Sequence, residues 1–146
     1  MYERILTREK NVEEHLRDLE EKLSECELPL WEKILYTSWV VGEIIGRRLK
    51  DFDYYKNRLF EIRDKLNKQI RNGKTSEEVI RKVVRKIKYI EGCFLLTDYL
   101  ERGYGDCTVA ASLFLCLSEM LDKGLFEKCY LGHIPLHVMI IKDERN

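Results

Sequence analysis

A cysteine directly follows a glycine–aspartate turn in the stretch GYGDCTVAASLFLCL, residues 103–117. Gly103 and Gly105 allow a tight backbone path, and Asp106 is a preferred N-cap residue, so Cys107 is predicted in the first turn of a helix. The free N–H groups and the dipole at a helix N-terminus favour the thiolate, which is the nucleophilic form of cysteine. The backbone N–H of Cys107 is also a candidate oxyanion donor. The position suits a nucleophile, although cysteine also commonly fills the core at such a place.

A nucleophilic cysteine needs a base, and two histidines follow it in the chain. His137 lies in the segment PLHVMII, a predicted strand thirty residues beyond Cys107, and a strand packed across the start of a helix would bring the two together. His133 is predicted in a turn, where an imidazole is poorly positioned for catalysis. His15 is flanked by charged residues on a predicted helix and is expected at the surface. Cys107 and His137 are therefore the candidate catalytic pair.

The same segment also contains three residues of the types that bind zinc. Cys129, His133 and His137 have the spacing C-x3-H-x3-H, which would share one face of a helix, but Gly132 and Pro135 interrupt any helix there. The chain has five cysteines without a CxxC pair, so neither a zinc ribbon nor a thioredoxin-type redox site is indicated. We expect free thiols, no metal and no cofactor, with a zinc site on the hairpin as the less favoured alternative.

The second half of the chain mixes helix and strand signals. Thr75 or Ser76 followed by Glu78 is a capping signature that opens a helix, and a short apolar helix is expected over Cys93–Leu100. A long apolar helix then runs over Cys107–Leu121 and is closed by Gly124, and the last segment reads as two strands around a GHIP turn. Helices followed by a strand pair indicate an α+β fold.

The first half predicts three amphipathic helices. Their apolar seams, at steps of three and four residues, are Val12, Leu16, Leu19, Leu23 and Cys26; Trp31, Ile34, Leu35, Ser38, Gly42, Ile45 and Leu49; and Phe52, Tyr55, Leu59, Ile62, Leu66 and Ile70. Small residues at Ser38, Gly42 and Gly46 would let a neighbouring helix approach closely. Pro29 is expected to open the second helix, and the NGK segment at Asn72 to end the third.

The second half resembles the transglutaminase-like superfamily of papain-type cysteine enzymes. The resemblance covers residues 75–146 and consists of a helix ending in an I-x-Y element, a G-x-C turn that opens the central helix, a leucine-rich helix ending near glycine, a strand, and a second strand that begins with histidine. The matching residues are Ile87, Lys88 and Tyr89; Gly105, Asp106 and Cys107; Leu113, Leu117, Leu121 and Gly124; and His137.

This resemblance implies acyl transfer or hydrolysis at an amide, with Cys107 as nucleophile, His137 as general base and an aspartate on the following strand to orient the imidazole. Only nine residues follow His137. Asp143 would lie roughly 20 Å from His137 along an extended strand, too far to hold its imidazole. Three accounts fit the missing aspartate. The protein works with a Cys-His dyad, it recruits a carboxylate or amide from the helical half, or it keeps the fold and has lost the activity.

The amino-acid composition limits the classes of binding partner and the cellular location that we expect. Twenty-six basic and twenty-six acidic side chains cancel, so the charge gives no footprint for nucleic acid or an anionic membrane. The N-terminal decapeptide and the apolar run 34–46 are too short or too polar for a secretory signal or a membrane span, so a cytoplasmic location is expected. A content of 36% charged residues with a single glutamine, Gln69, leans toward a heat-adapted source.

We therefore predict an α+β protein in which a helical region, residues 1–72, packs on a small transglutaminase-like core, residues 73–146, as one compact unit. The expected function is thiol-dependent acyl transfer or amide hydrolysis on a peptide or protein. The alternative is a non-catalytic interaction module that keeps a degenerate scaffold and binds through its helices. Homo-oligomers through the N-terminal helices are a further expectation, since their seams resemble short heptads.

Overall fold

The computed structural model describes residues 11–47, 49–134 and 137–142, without the side chains of Tyr130, Leu131, His133, Ile134 and His137. This part is mainly helical with few strands, which agrees with the predicted α+β class. The helices are α1 Val12–Leu23, α2 Leu30–Ile44, α3 Phe52–Arg71, α4 Ser76–Arg85, α5 Leu96–Arg102, α6 Cys107–Leu121 and α7 Lys123–Glu127. The strands are β1 Lys88–Tyr89, β2 Tyr104–Gly105, β3 Cys129–Ile134 and β4 His137–Lys142. No helix in the described ranges is both long and apolar enough to cross a membrane.

Helix α6 lies at the centre of the molecule. It contacts α2, α3, α4, α5, α7, β2 and β4. Its sequence is apolar on nearly every side, and a helix of that kind must be covered on all faces to be stable in water. The predicted helix over Cys107–Leu121 is confirmed, but Gly124 does not close it, because Asp122 ends α6 and its carboxylate caps α7, which contains Gly124.

The helical first half shares the hydrophobic core with the second half. Leu35 of α2 and Leu59 of α3 are fully buried in the same cluster as Ile80 of α4 and Leu113 of α6. The predicted third helix and its end at Asn72 are confirmed. Burying apolar surface from both halves in one cluster means that each half covers surface that the other would leave in water.

Helix α2 is shorter than its apolar seam predicts. It ends at Ile44, and Gly46 adopts a left-handed conformation with φ of 85° that reverses the chain. The side chain of Leu49 then returns to α2, where a Cβ atom on Gly42 would lie 2.8 Å from Leu49 Cδ1. Gly42 is thus covered by the following loop and not by a neighbouring helix. Ser38 does allow a helix to approach, since its Oγ accepts a hydrogen bond of 3.2 Å from the N–H of Thr97 in α5.

The helix predicted over Cys93–Leu100 is present as α5, but it covers Leu96–Arg102. It ends there because Gly103 adopts a left-handed conformation with φ of 84°. The strand pair is confirmed as an antiparallel hairpin of β3 and β4. His133, expected in the turn, is instead paired with Val138 inside this ladder. The ladder continues to the pair of Ile134 and His137, so the connection falls on residues 135–136, which are outside the described part.

Glu119 of α6 fastens the start of α2 to the central helix. Its Oε2 accepts a 2.9 Å hydrogen bond from the N–H of Leu30, and its Oε1 accepts one of 2.6 Å from the N–H of Trp31. Pro29, the N-cap of α2, provides no side-chain cap of its own. A carboxylate from a distant part of the sequence therefore satisfies two of the N–H groups that a helix start leaves free.

Replacing Glu119 by alanine should lower the free energy of unfolding by about 1–3 kcal/mol, because two charge-assisted hydrogen bonds at a partly exposed helix start are lost. Urea unfolding followed by circular dichroism measures the change. The exposed Glu127→Ala in α7 serves as the control and should change stability much less. Equal losses in the two variants would show that the Glu119 cap contributes nothing specific.

Candidate active site

The segment that leads into Cys107 is held by backbone hydrogen bonds to the chain before α5. The N–H of Lys88 donates to the carbonyl of Gly103, and the N–H of Ile90 donates to that of Gly105, both at 3.1 Å. These bonds belong to a parallel pairing of β1 with β2. The N–H of Asp106 donates to the carbonyl of Cys93 at 2.9 Å. The residue before Cys107 is thus fixed by the fold and not only by its own turn.

Asp106 is the N-cap of α6, as predicted. Its Oδ1 accepts hydrogen bonds from the N–H groups of Thr108 at 2.9 Å and Val109 at 3.3 Å. Among the residues that the structure describes, the N–H of Cys107 has no acceptor. Cys107 therefore occupies the first turn of α6 with a backbone donor beside its own sulfur, the arrangement that an oxyanion site requires.

Gly105 is required by close packing at this turn. It is buried, and a Cβ atom there would lie 2.6 Å from the Cβ of Val109, one turn into α6. Val109 is fully buried in the core and cannot move aside without displacing its neighbours. The glycine of the G-x-C element thus allows β2 to cross the first turn of the helix.

Gly105→Ala should destabilise the protein by about 1–3 kcal/mol, the usual cost of forcing an extra carbon into a packed core. Urea unfolding provides the measurement. Gly124→Ala is the control, since the nearest atom to its new Cβ is a carboxylate oxygen of Asp122 at 3.4 Å and α7 can accept alanine. A Gly105→Ala protein as stable as the parent would contradict the steric argument.

Strand β4 approaches the sulfur of Cys107. The N–H of Val138 donates a 3.4 Å hydrogen bond to Cys107 Sγ, so this N–H is directed away from β3 and toward the start of α6. His137 immediately precedes Val138 and begins the strand. The backbone that carries His137 is therefore adjacent to Cys107, while the imidazole itself lies outside the described part. Asp143 and Asn146 lie outside it as well.

An open cavity of about 420 Å³ begins at Cys107. Its floor is α6, with Ala110, Ala111 and Phe114, and its sides are α4 and β4. The described lining residues on these sides and at the rim are Arg81, Val84, Arg85, Tyr89, Val138, Met139, Ile140 and Lys142. A concave, mostly apolar site of this volume is of the size that binds small molecules or short peptide segments.

A small ionic network joins α4 to β4 at the end of the cavity away from Cys107. Glu77 Oε1 lies 2.6 Å from Lys142 Nζ, and its Oε2 lies 2.9 Å from Arg81 Nη2. The hydrogen bond from Lys142 is the main cause that lowers the pKa of Glu77 below its usual value. A carboxyl group with a lowered pKa stabilises the fold at neutral pH, and this contribution is lost as the pH falls through the folded pKa.

The other described cysteines differ from Cys107 in their surroundings. Cys116 is fully buried in the middle of α6, as predicted for a core residue, and burial raises the pKa of its thiol. Burial also raises the pKa of Cys129, whose Sγ donates to the carbonyl of Leu125 at 3.2 Å. Cys26 is exposed beyond the end of α1, and Cys93 and Cys107 are half-buried. Of the five described cysteines, Cys107 is the one that lines the cavity described above.

At pH 7, Cys107 should react with iodoacetamide faster than Cys116, because the thiolate is the reactive form and Cys116 is both inaccessible and held as the thiol. Brief labelling followed by mass-spectrometric mapping of peptides from the folded protein gives the two rates. Cys26 serves as the internal reference for an exposed thiol. Labelling of Cys107 no faster than that of Cys116 would mark it as a structural residue.

Metal binding finds no support in the described residues, among which no group of three His, Cys, Asp or Glu side chains could hold an ion. The zinc alternative also involves the side chains of His133 and His137, which are outside that set, so it stays untested.

Comparison of the chain with models of known protein families, with curated proteins and with solved structures finds no match. The resemblance to transglutaminase-like enzymes therefore rests on the residues named from the sequence.

Sequence reasoning missed the cationic residues of the cavity. Arg81 and Arg85 are four residues apart on α4 and so share one face of it, with Val84 beside them. On a charged surface helix such a pair is ordinary, and nothing local marks it. Only the packing of β4 alongside α4 shows that these side chains line the same cavity as Cys107.

Proposed function

We propose that this protein is a thiol-dependent enzyme of the transglutaminase-like kind that transfers an acyl group from, or hydrolyses, an amide in a peptide or protein. Cys107 is the nucleophile and His137 the general base. The N–H groups in the first turn of α6 stabilise the oxyanion. No cofactor takes part in this scheme.

In the proposed reaction, His137 first takes the proton of the Cys107 thiol, and the resulting thiolate attacks the amide carbonyl carbon. The carbonyl oxygen gains negative charge beside the N–H of Cys107. The C–N bond breaks as His137 returns the proton to the leaving amine, which produces a thioester on Cys107. Water or an amine then attacks the thioester carbonyl carbon and gives a proton to His137. The C–S bond breaks, the acyl group leaves as a carboxylic acid or a new amide, and His137 returns the proton to the sulfur.

The observation that carries this proposal is the hydrogen bond from the N–H of Val138 to Cys107 Sγ. It joins the helix start that holds the candidate nucleophile to the residue directly after His137. The cavity beside Cys107 supplies space for a substrate. A cysteine that merely filled the core would need neither an open cavity nor a polar neighbour.

Two arrangements fit this proposal. Cys107 and His137 act as a dyad with no orienting group, or a side chain from the helical half orients the imidazole of His137. An imidazole without an orienting carboxylate can lose on the order of 10⁴ in rate. The proposal therefore expects slow turnover where no such group is present, and reactivity of the thiol is the more direct test.

His137→Ala should slow the alkylation of Cys107 at pH 7 by at least several-fold, because the imidazolium no longer stabilises the thiolate. The measurement is the rate of iodoacetamide labelling of Cys107 as a function of pH in both proteins. Circular dichroism shows whether the fold is kept. His15→Ala, a histidine on α1 far along the chain from this site, is the matched control and should leave the profile unchanged.

Superimposed profiles for the parent and His137→Ala proteins would mean that the two residues are not coupled. The interaction-module alternative would then replace the enzyme.

One feature favours that alternative: α1 has no buried residue, and Val12, Leu16 and Leu23 on it are 52%, 51% and 40% exposed. Apolar side chains left in water along one helix face are typical of a surface that binds another protein.

A further inference from the structure

The charged side chains that line the cavity beside Cys107 in the described part of the chain are all cationic. They are Arg81, Arg85 and Lys142. Arg81 and Lys142 both pair with the carboxylate of Glu77, and Arg85 adds a positive field at the rim of the cavity. A site with this field attracts anions and disfavours cations.

Arg85 is the cation that the described residues leave without a carboxylate partner. It is exposed in the last turn of α4 and lines the same cavity as Val84, Tyr89 and Cys107. A guanidinium presents a planar fork of N–H donors that fits a carboxylate with two parallel hydrogen bonds. Arg85 is thus available to a ligand without the loss of an internal ion pair.

The rest of the cavity would bind a different part of the same ligand. Val84, Phe114 and Ile140 belong to its apolar lining, and Phe114 and Ile140 are joined to the core. An apolar group placed there leaves water and gains about 25 cal/mol for each Å² of surface buried. Apolar walls and a cationic rim together select a ligand that is apolar at one end and anionic at the other.

We propose that the cavity binds a peptide segment in which an aliphatic or aromatic side chain lies next to a carboxylate, with the carboxylate on Arg85 and the apolar group against Val84, Phe114 and Ile140. This inference rests on the proposed function in one respect, that the bound segment delivers its amide to Cys107. The substrates are then peptides in which an aliphatic or aromatic residue lies next to an acidic one.

Protection of Cys107 from iodoacetamide tests this inference without requiring turnover. The probes are acetyl-Leu-Asp-amide and acetyl-Leu-Asn-amide, which differ only in the carboxylate. The aspartyl peptide should slow the labelling of Cys107 at a concentration about 3- to 10-fold lower than the asparaginyl peptide, as one hydrogen-bonded charge would give. Labelling of Cys26 should be unaffected by either peptide.

Arg85→Gln should remove this preference and leave both peptides equally weak. Lys82→Gln removes the same charge from the same helical turn but from a side chain that does not line the cavity, and it should keep the preference. Equal protection by the two peptides in the parent protein would overturn the inference. So would a preference that survives Arg85→Gln, or one that Lys82→Gln abolishes to the same extent.

Two further outcomes separate this inference from the proposed function. Hexanoate that protects Cys107 at a lower concentration than the aspartyl peptide would overturn the peptide assignment in favour of a free carboxylic acid. A normal peptide preference combined with pH profiles that are unchanged by His137→Ala would support the binding site and overturn the enzyme. A Cys107 that iodoacetamide does not reach would overturn both, because the cavity would be closed.

Discussion

The burial of α6 is the constraint on which the rest of the structure depends. Leu113, Leu117 and Cys116 are fully buried within it, and helices from both halves of the chain are needed to cover it together with β4. A helix that is apolar on almost every side has no stable exposed orientation. The neighbouring elements are therefore held by the surface they cover, and the Glu119 carboxylate adds a polar link between α6 and the start of α2.

The candidate site lies at the start of α6, where Cys107, Thr108 and Ala110 are only partly buried. There β2 crosses the helix at Gly105, β4 reaches the sulfur of Cys107 through Val138, and the space between α4 and β4 stays open. The start of α6 is thus held by elements from three parts of the chain, and the thiol lies beside an open cavity whose other walls come from α4 and β4. Side chains on regular elements are positioned more precisely than those on loops.

Local patterns predicted the parts of this structure that depend on local interactions. The cap at Asp106, the α6 span and the strand pair follow from residue types and periodicity, and all are present. The end of α2 was missed because Leu49 continues the apolar period although it returns to cover Gly42 from a loop. The pairing of β1 with β2 and the cationic cavity were missed because they depend on contacts between distant segments, which periodicity does not record.

The hydrogen bond between the N–H of Val138 and Cys107 Sγ links the backbone of β4 to the chemical state of the sulfur. A thiolate is a strong acceptor, a thioester or alkylated sulfur a weak one, and an added group also occupies space between α6 and β4. Each change at the sulfur therefore alters how firmly the first residues of β4 are held. The amide resonance of Val138 would shift with the covalent state of Cys107, so that a backbone signal reports on the chemistry of a side chain.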